Sequence, residues 1–230
     1  MSAGPTLDAI SRRALDYIAA GNVVGLGTGR AATGFIQILG ERVRGGLKIR
    51  GVPTSQASDD LARQLGIPLV TLDDVPVLDV TVDGADEVAP DCNVIKGYGG
   101  ALVREKIVAA ASKKLVILVG EEKLVPTLGA RGKLPVEALP FGLGATIRHL
   151  TALGLSPVVR QTGGKTFITD NGNVVLDCGT GPIVQPAELE AAVRAIPGVV
   201  GTGLFLGMAD VVLIQHGEDV EVRTSQKGKR

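Results

Sequence analysis

The sequence predicts a doubly wound α/β protein with a mostly parallel sheet, joined to a second, smaller α+β domain. Three observations carry this. Apolar strand-like runs alternate with helix-period segments through the first half. The composition is aliphatic and rich in glycine (32 residues), yet only 3% aromatic and without Trp. Glycine-rich loops follow directly on the strand-like runs. Parallel strands covered by helices on both faces read as Val, Ile and Leu runs, and such sheets take ligands beyond the C-terminal ends of their strands. At 230 residues the chain is long enough to bury a full core.

In order, Asn22 to Leu26 reads as a strand, and Ala31 to Val43 as a helix whose Phe35, Ile36, Ile38 and Leu39 are apolar. Leu47 to Val52 is a second strand, Ser55 to Leu65 a helix closed by Gly66, and Val77 to Val82 a third strand. A helix over Ala101 to Ala111 and a strand over Leu115 to Val119 complete the repeated βα order of a Rossmann-like sheet. After Gly120 the pattern changes. Leu134 to Leu139 reads as a strand, Ala145 to Leu153 as a helix and Pro157 to Arg160 as a strand. Thr166 to Thr169 and Val174 to Leu176 read as a hairpin about Asp170-Asn171-Gly172. Ala187 to Ile196 is then helical and Val199 to Phe205 extended. One extra strand aside, this is the β-α-β-β-α-β order of a ferredoxin-like unit. The runs Asp210 to Gln215 and Val220 to Arg223 are expected to rejoin the first sheet. The expected domains are therefore 1–130 plus 205–230, Rossmann-like and catalytic, and 131–204, small and ferredoxin-like.

Lys plus Arg balance Asp plus Glu at 24 each, so no global field recruits nucleic acid or an anionic membrane, and any anion site is local. Cys92 and Cys178 lack the spacing of a zinc ribbon or redox pair. No signal peptide or membrane-length apolar run is read, so a cytoplasmic protein is expected; the basic tail Lys227 to Arg230 reads as frayed. His149 and His216 are the only histidines, too few for a typical zinc site. Chemistry is expected to rest on carboxylates and lysines.

Three loops carry it. GLGTGR, Gly25 to Arg30, follows a strand and opens a helix, where backbone N–H groups favour an anion. Arg30 replaces the third Gly of a dinucleotide fingerprint, no acidic residue follows the second strand, and no Gly-Lys-Ser/Thr ends the loop. A phosphate or sugar cradle, or a plain tight turn, remains. VDGADEV, Val82 to Val88, puts Asp83, Asp86 and Glu87 at a strand end, as proton-moving carboxylates, as caps of backbone donors, or as magnesium ligands. IKGYGGALVREKI, Ile95 to Ile107, sets Lys96 before a glycine turn and Glu105 in the helix after it. A cation and a base there suit an enediolate, although each alone also suits a solvated surface charge.

Together with GVPTSQAS, LPVEALP, TDNGNVVLD (Thr169 to Asp177) and IPGVVGTGLF (Ile196 to Phe205), these loops resemble, in order and over nearly the whole chain, the signatures of the type A ribose-5-phosphate isomerases. The resemblance implies a cytoplasmic homodimer or homotetramer without cofactor or metal, acting on a small phosphorylated sugar, with the small domain as a lid or interface element. It implies Glu105 as the base between C1 and C2, Lys96 on the enediolate oxygen, and Asp83 and Asp86 in ring opening and hydroxyl binding. Thr28, Gly29, Arg30, Gly97, Gly99 and Lys123 would bind substrate.

The chain departs from the family in three places. It reads GTGRAA over Gly27 to Ala32 where the family usually has GTGSTA, so Arg30 and Ala31 replace two hydroxyls. Tyr98 stands in a turn that is usually Gly, and Glu122 stands where a small polar residue is common. An isomerase of another phosphosugar and a non-catalytic phosphosugar-sensing domain are the alternatives.

Overall fold

The computed structural model describes residues 8–225; the tail Lys227–Arg230 and the segment before Asp8, read above for a leader, lie outside them. In chain order the elements begin α1 (Asp8–Ala14), β1 (Val23–Leu26), α2 (Arg30–Arg44), β2 (Arg50–Pro53), α3 (Gln56–Gln64) and β3 (Val80–Gly84). There follow β4 (Glu87–Val88), β5 (Val94–Ile95), α4 (Leu102–Ala110), β6 (Leu115–Gly120), β7 (Leu134–Ala138) and α5 (Leu143–Ala152). Next come β8 (Ser156–Val159), β9 (Gln161–Thr162), β10 (Lys165–Thr166), β11 (Val174–Gly179) and α6 (Pro186–Arg194). The chain closes with β12 (Val199–Thr202), β13 (Leu204–Phe205), β14 (Val211–His216) and β15 (Asp219–Thr224). It forms two compact units, one of residues 8–85, 104–124 and 207–225, the other of Asp86–Val103 and Val125–Leu206.

The first unit is a six-stranded sheet in the order β2-β1-β3-β6-β14-β15, parallel except for β15. Each central strand is a buried run of aliphatics, as a strand covered on both faces must be. Phe35, Ile36 and Leu39 recur on one face of α2 and are fully buried against Val24, Leu26, Val80 and Val82. Removing such side chains from water contributes about 2 kcal/mol each. The capping box of Ser55 and Ser58 fixes the start of α3. The strand order reverses at β1, with β2 on one side and β3 on the other, which makes the crevice beyond β1 and β3 the place where a ligand meets such a sheet.

The second unit holds an antiparallel sheet in the order β12-β7-β11-β8, the ferredoxin-like arrangement, with α5 and α6 packed on its apolar face. Beside it, β13, β5 and β4 form a small antiparallel sheet. The expected hairpin differs. Only Lys165–Thr166 is extended, it pairs with β9, and Ile168 meets Val174 in a single bridge. The reason lies in the turn: Thr169 Oγ1 and the Nδ2 atoms of Asn171 and Asn173 all donate to buried Glu137 Oε1 at 2.8 to 3.0 Å, which binds the turn to β7. The division into units also differs from the expected one, since 86–103, 125–130 and 205–206 belong with the ferredoxin-like sheet. Two-residue strands set this: β5 pairs with β13, and Val125 N donates to Val88 O. No periodicity exists over two residues to announce them.

Candidate active site

In the first unit the chemistry gathers at the C-terminal ends of β1, β2 and β3. Gly27 N donates to Val82 O at 3.0 Å, drawing the loop after β1 onto β3. A Cβ on Gly27 would lie 2.2 Å from Asp83 Oδ1 and 2.7 Å from Asp83 Cα, so only glycine admits that approach. Asp83 is buried, and its Oδ1 accepts from the amides of Thr28 (3.1 Å) and Gly84 (2.7 Å). The aspartate thus caps backbone donors and fixes the loop that begins α2. Thr28 Oγ1 lies 2.8 Å from both Thr54 Oγ1 and Ser55 Oγ, and Thr54 Oγ1 donates onward to Leu26 O. Thr54 and Ser55 were not singled out in the sequence, although they lie within the GVPTSQAS run and Ser55 is an N-cap by type. They supply hydroxyls close to where those expected at positions 30 and 31 are missing.

Gly29, at φ 98°, caps α2, and Arg30 follows as its first residue, exposed and paired with Glu122 Oε1 at 3.2 Å. Glu122 and Lys123 lie on the one-turn 3₁₀ helix after β6, so Lys123 also stands at the C-terminal edge of the sheet. A helix that leads into a parallel strand runs antiparallel to it. The first turn of α4, which carries Glu105, therefore lies at the same edge, while Val108, one turn on, packs against Gly25 of β1. Glu105 is 4% exposed.

The second unit holds the turn after β5. Asp86 N donates to Ile95 O at 2.8 Å, and Asp86 Oδ2 accepts from Tyr98 N at 2.9 Å, closing Lys96 and Gly97 into a ring. Lys96 N donates to Gly203 O, and the buried ammonium lies 5.6 Å from the centre of the Phe205 ring. Gly97 needs its φ of 105°; Gly99 is exposed in the same turn. Arg160 Nη1 donates to the carbonyls of Gly97 (2.8 Å) and Tyr98 (3.0 Å), while Nε and Nη2 grip Asp177 in a fork at 3.0 and 2.5 Å. Burial pushes the Asp177 carboxyl up, but the Arg160 fork and then Lys133 at 3.1 Å outweigh it and hold the group below the usual carboxylate range. Burial, then the charges of Glu87 and Asp86, push the Tyr98 hydroxyl up to about 12, so it stays a donor to Lys133 O. Glu87 is not among the chemical groups: its two oxygens accept from the amides of Gly129 and Arg131. Arg160 and Asp177 were missed, because nothing in sequence links them to a turn 63 residues away.

On one sheet edge of the first unit stand a switch-point loop, a hydroxyl cluster and a buried carboxylate, the residue types with which an α/β enzyme does acid–base and electrostatic work on a small polar ligand. The family model of ribose 5-phosphate isomerase A (phosphoriboisomerase A) matches residues 50–219. The chain belongs to that family. A ribose-5-phosphate isomerase A from Gloeobacter violaceus is 51% identical over 215 residues, covering 93% of this chain and 94% of its own. Among solved structures, ribose 5-phosphate isomerase from Plasmodium falciparum superposes with a TM-score of 0.92 at 38% identity, over 96% of this chain and 99% of that one. A D-ribose-5-phosphate isomerase in complex with phospho-erythronic acid gives 0.92 at 38%, over 95% and 97%.

Proposed function

We propose that Glu105 moves the proton in this chain's interconversion of D-ribose 5-phosphate and D-ribulose 5-phosphate, the aldose–ketose reaction of its family. The observation that carries this is the placement of Glu105, buried in the first turn of α4 at the sheet edge where Thr28 and Asp83 also lie. With the sugar ring open, Glu105 takes the proton from C2, and the C–H electron pair forms the C1–C2 double bond of an enediolate as the C1 carbonyl pair moves to O1; the O2 proton then passes to O1, C2=O forms, and the C1–C2 π pair takes the proton back from Glu105 at C1. C1 is reduced as C2 is oxidised, so the balance needs no outside oxidant or reductant.

Lys96 answers the negative charge that grows on the enediolate oxygen, worth most where water is excluded. Asp83 and Asp86 assist ring opening and hold hydroxyls. Thr28, the Gly29 amide, Arg30 and Lys123 take the phosphate or neighbouring oxygens, and the Gly97 and Gly99 backbone approaches the sugar. The complex of a relative with phospho-erythronic acid, a phosphorylated sugar acid, supports a phosphosugar ligand. Family resemblance also supports a homodimer or homotetramer in the cytoplasm; among the described residues no helix is long and apolar enough to cross a membrane.

The test is turnover of ribose 5-phosphate in deuterium oxide. Label appearing at C1 of the ketose supports proton transfer through a base. Full turnover with no label at any conversion sinks it in favour of a hydride shift. Turnover of another phosphosugar alone would reassign the substrate, and binding without turnover would make the chain a sensor.

A further inference from the structure

Two side chains at the sheet edge of the first unit, Arg30 and Glu122, are joined to each other. Arg30 Nη2 donates to Glu122 Oε1 at 3.2 Å across 92 residues of sequence. Both side chains are about half exposed, at 58% and 45%, and an ion pair so open to water contributes little to stability. Its place is more telling than its strength. Arg30 opens the 15-residue helix α2 directly after Thr28 and Gly29, and the first turn of that helix holds no acidic residue. The Glu122 carboxylate is set there by local structure: its Oε2 sits 2.0 Å from where a Cβ of Gly120 would be, so it lies over the last residue of β6 in space that only glycine leaves open. The anion facing Arg30 Nη2 is thus part of the protein.

We infer that Glu122 is a built-in competitor for the anion site, occupying the Arg30 guanidinium until the phosphate of the substrate replaces it. The inference rests on the proposed contact of Arg30 with phosphate. A planar guanidinium binds carboxylate and phosphate through the same fork, so the two anions exclude each other there. A dianionic phosphate prevails over a monocarboxylate at an exposed cation, while an uncharged sugar has nothing with which to displace Glu122. The pair therefore sets the affinity for the phosphate group, at a level below what Arg30 alone would give.

The experiment measures inhibition by inorganic phosphate, and KM and kcat for ribose 5-phosphate, in the full-length parent and in E122Q, R30A and the double variant, each checked for an unchanged thermal midpoint. E122Q is expected to tighten phosphate and lower KM by roughly three- to tenfold with kcat within about twofold, the size of one screened charge contact. R30A is expected to weaken both constants, and E122Q to have no further effect in that background. Gly120→Ala, which pushes the carboxylate aside while keeping it, is expected to reproduce E122Q. If R30A weakens phosphate binding but neither E122Q nor Gly120→Ala tightens it, Glu122 is no competitor and the Arg30 contact stands. If R30A leaves phosphate binding unchanged, the Arg30 reading falls and this inference with it.

Discussion

Arg160 clamps Gly97: its Nη1 donates to the Gly97 carbonyl at 2.8 Å, while the same guanidinium is held in a fork by Asp177. A turn whose peptide orientation depends on one nearly buried side chain loses its geometry when that side chain is cut. Arg160→Ala is expected to lower kcat about 10- to 100-fold, the cost of misplacing a catalytic group by about an ångström. Stability should fall by roughly 2 to 4 kcal/mol, because Asp177 keeps only Lys133. Arg160→Lys retains the charge without the fork and should recover the stability better than the rate. Urea denaturation and kcat on the same preparations check both; an Arg160→Ala enzyme with parental kcat would remove the clamp from function.

The acid limb of stability carries the same pair's signature. Asp177 has a folded value below its ordinary 3.8, so its contribution is complete above that value and is lost as pH falls below it, through the lower folded value. Asp177→Asn is expected to flatten the stability curve below about pH 4 relative to the parent. Parallel curves from pH 5 to 2.5 would contradict the assignment.

His216 gives the opposite sign. Its ring lies 2.8 Å from Glu121 and 3.1 Å from Glu221, whose hydrogen bonds raise its value above 6.5. Stability from this site is present below pH 6.5 and fades as pH rises through the raised value. The ring is partly open to solvent, so the effect on folding is small. An NMR titration of the imidazole is the direct check, and a midpoint at or below 6.5 would refute it.

Gly27 is where shape alone should decide activity. An alanine there would place a methyl group against the carboxylate and the backbone of Asp83, neither free to leave. Gly27→Ala is expected to cost roughly 1 to 3 kcal/mol, as overpacking does, and to reduce kcat by about 10²-fold or more by displacing Asp83. Melting temperature and kcat separate the two effects, and a stable variant with normal kcat would free Asp83 of its role.

Glu105→Gln keeps the shape of the side chain and removes the base. A kcat reduced by roughly 10²- to 10⁴-fold, with inhibition by inorganic phosphate unchanged, is the expected result. A folded variant within a few-fold of the parent would pass the role to Asp83 or Asp86.

Most of the first unit was legible in the sequence, because its strands are unbroken aliphatic runs and α2 carries its apolar stripe at helical spacing. Asp83, Lys96 and Glu105 were legible as candidates by loop position and residue type. The strands β4 and β5 were not, since two residues hold no period. Nor was the fate of Thr166 to Thr169, where alternation suggested a hairpin that the donors to Glu137 bend away.

What the sequence determined by itself is whatever short-range pattern encodes: the βα alternation, the glycine turns at strand ends, and the residue types capable of acid–base work. Only the tertiary structure decided which distant groups share a site. Thr54 and Ser55 reach Thr28 because β1 and β2 pair in parallel register. Arg160 reaches Gly97, and Glu122 reaches Arg30, across 63 and 92 residues. Such contacts follow from sheet order and from the packing of whole elements. Those are settled when distant segments bury their apolar faces against one another, and no local window of sequence contains them.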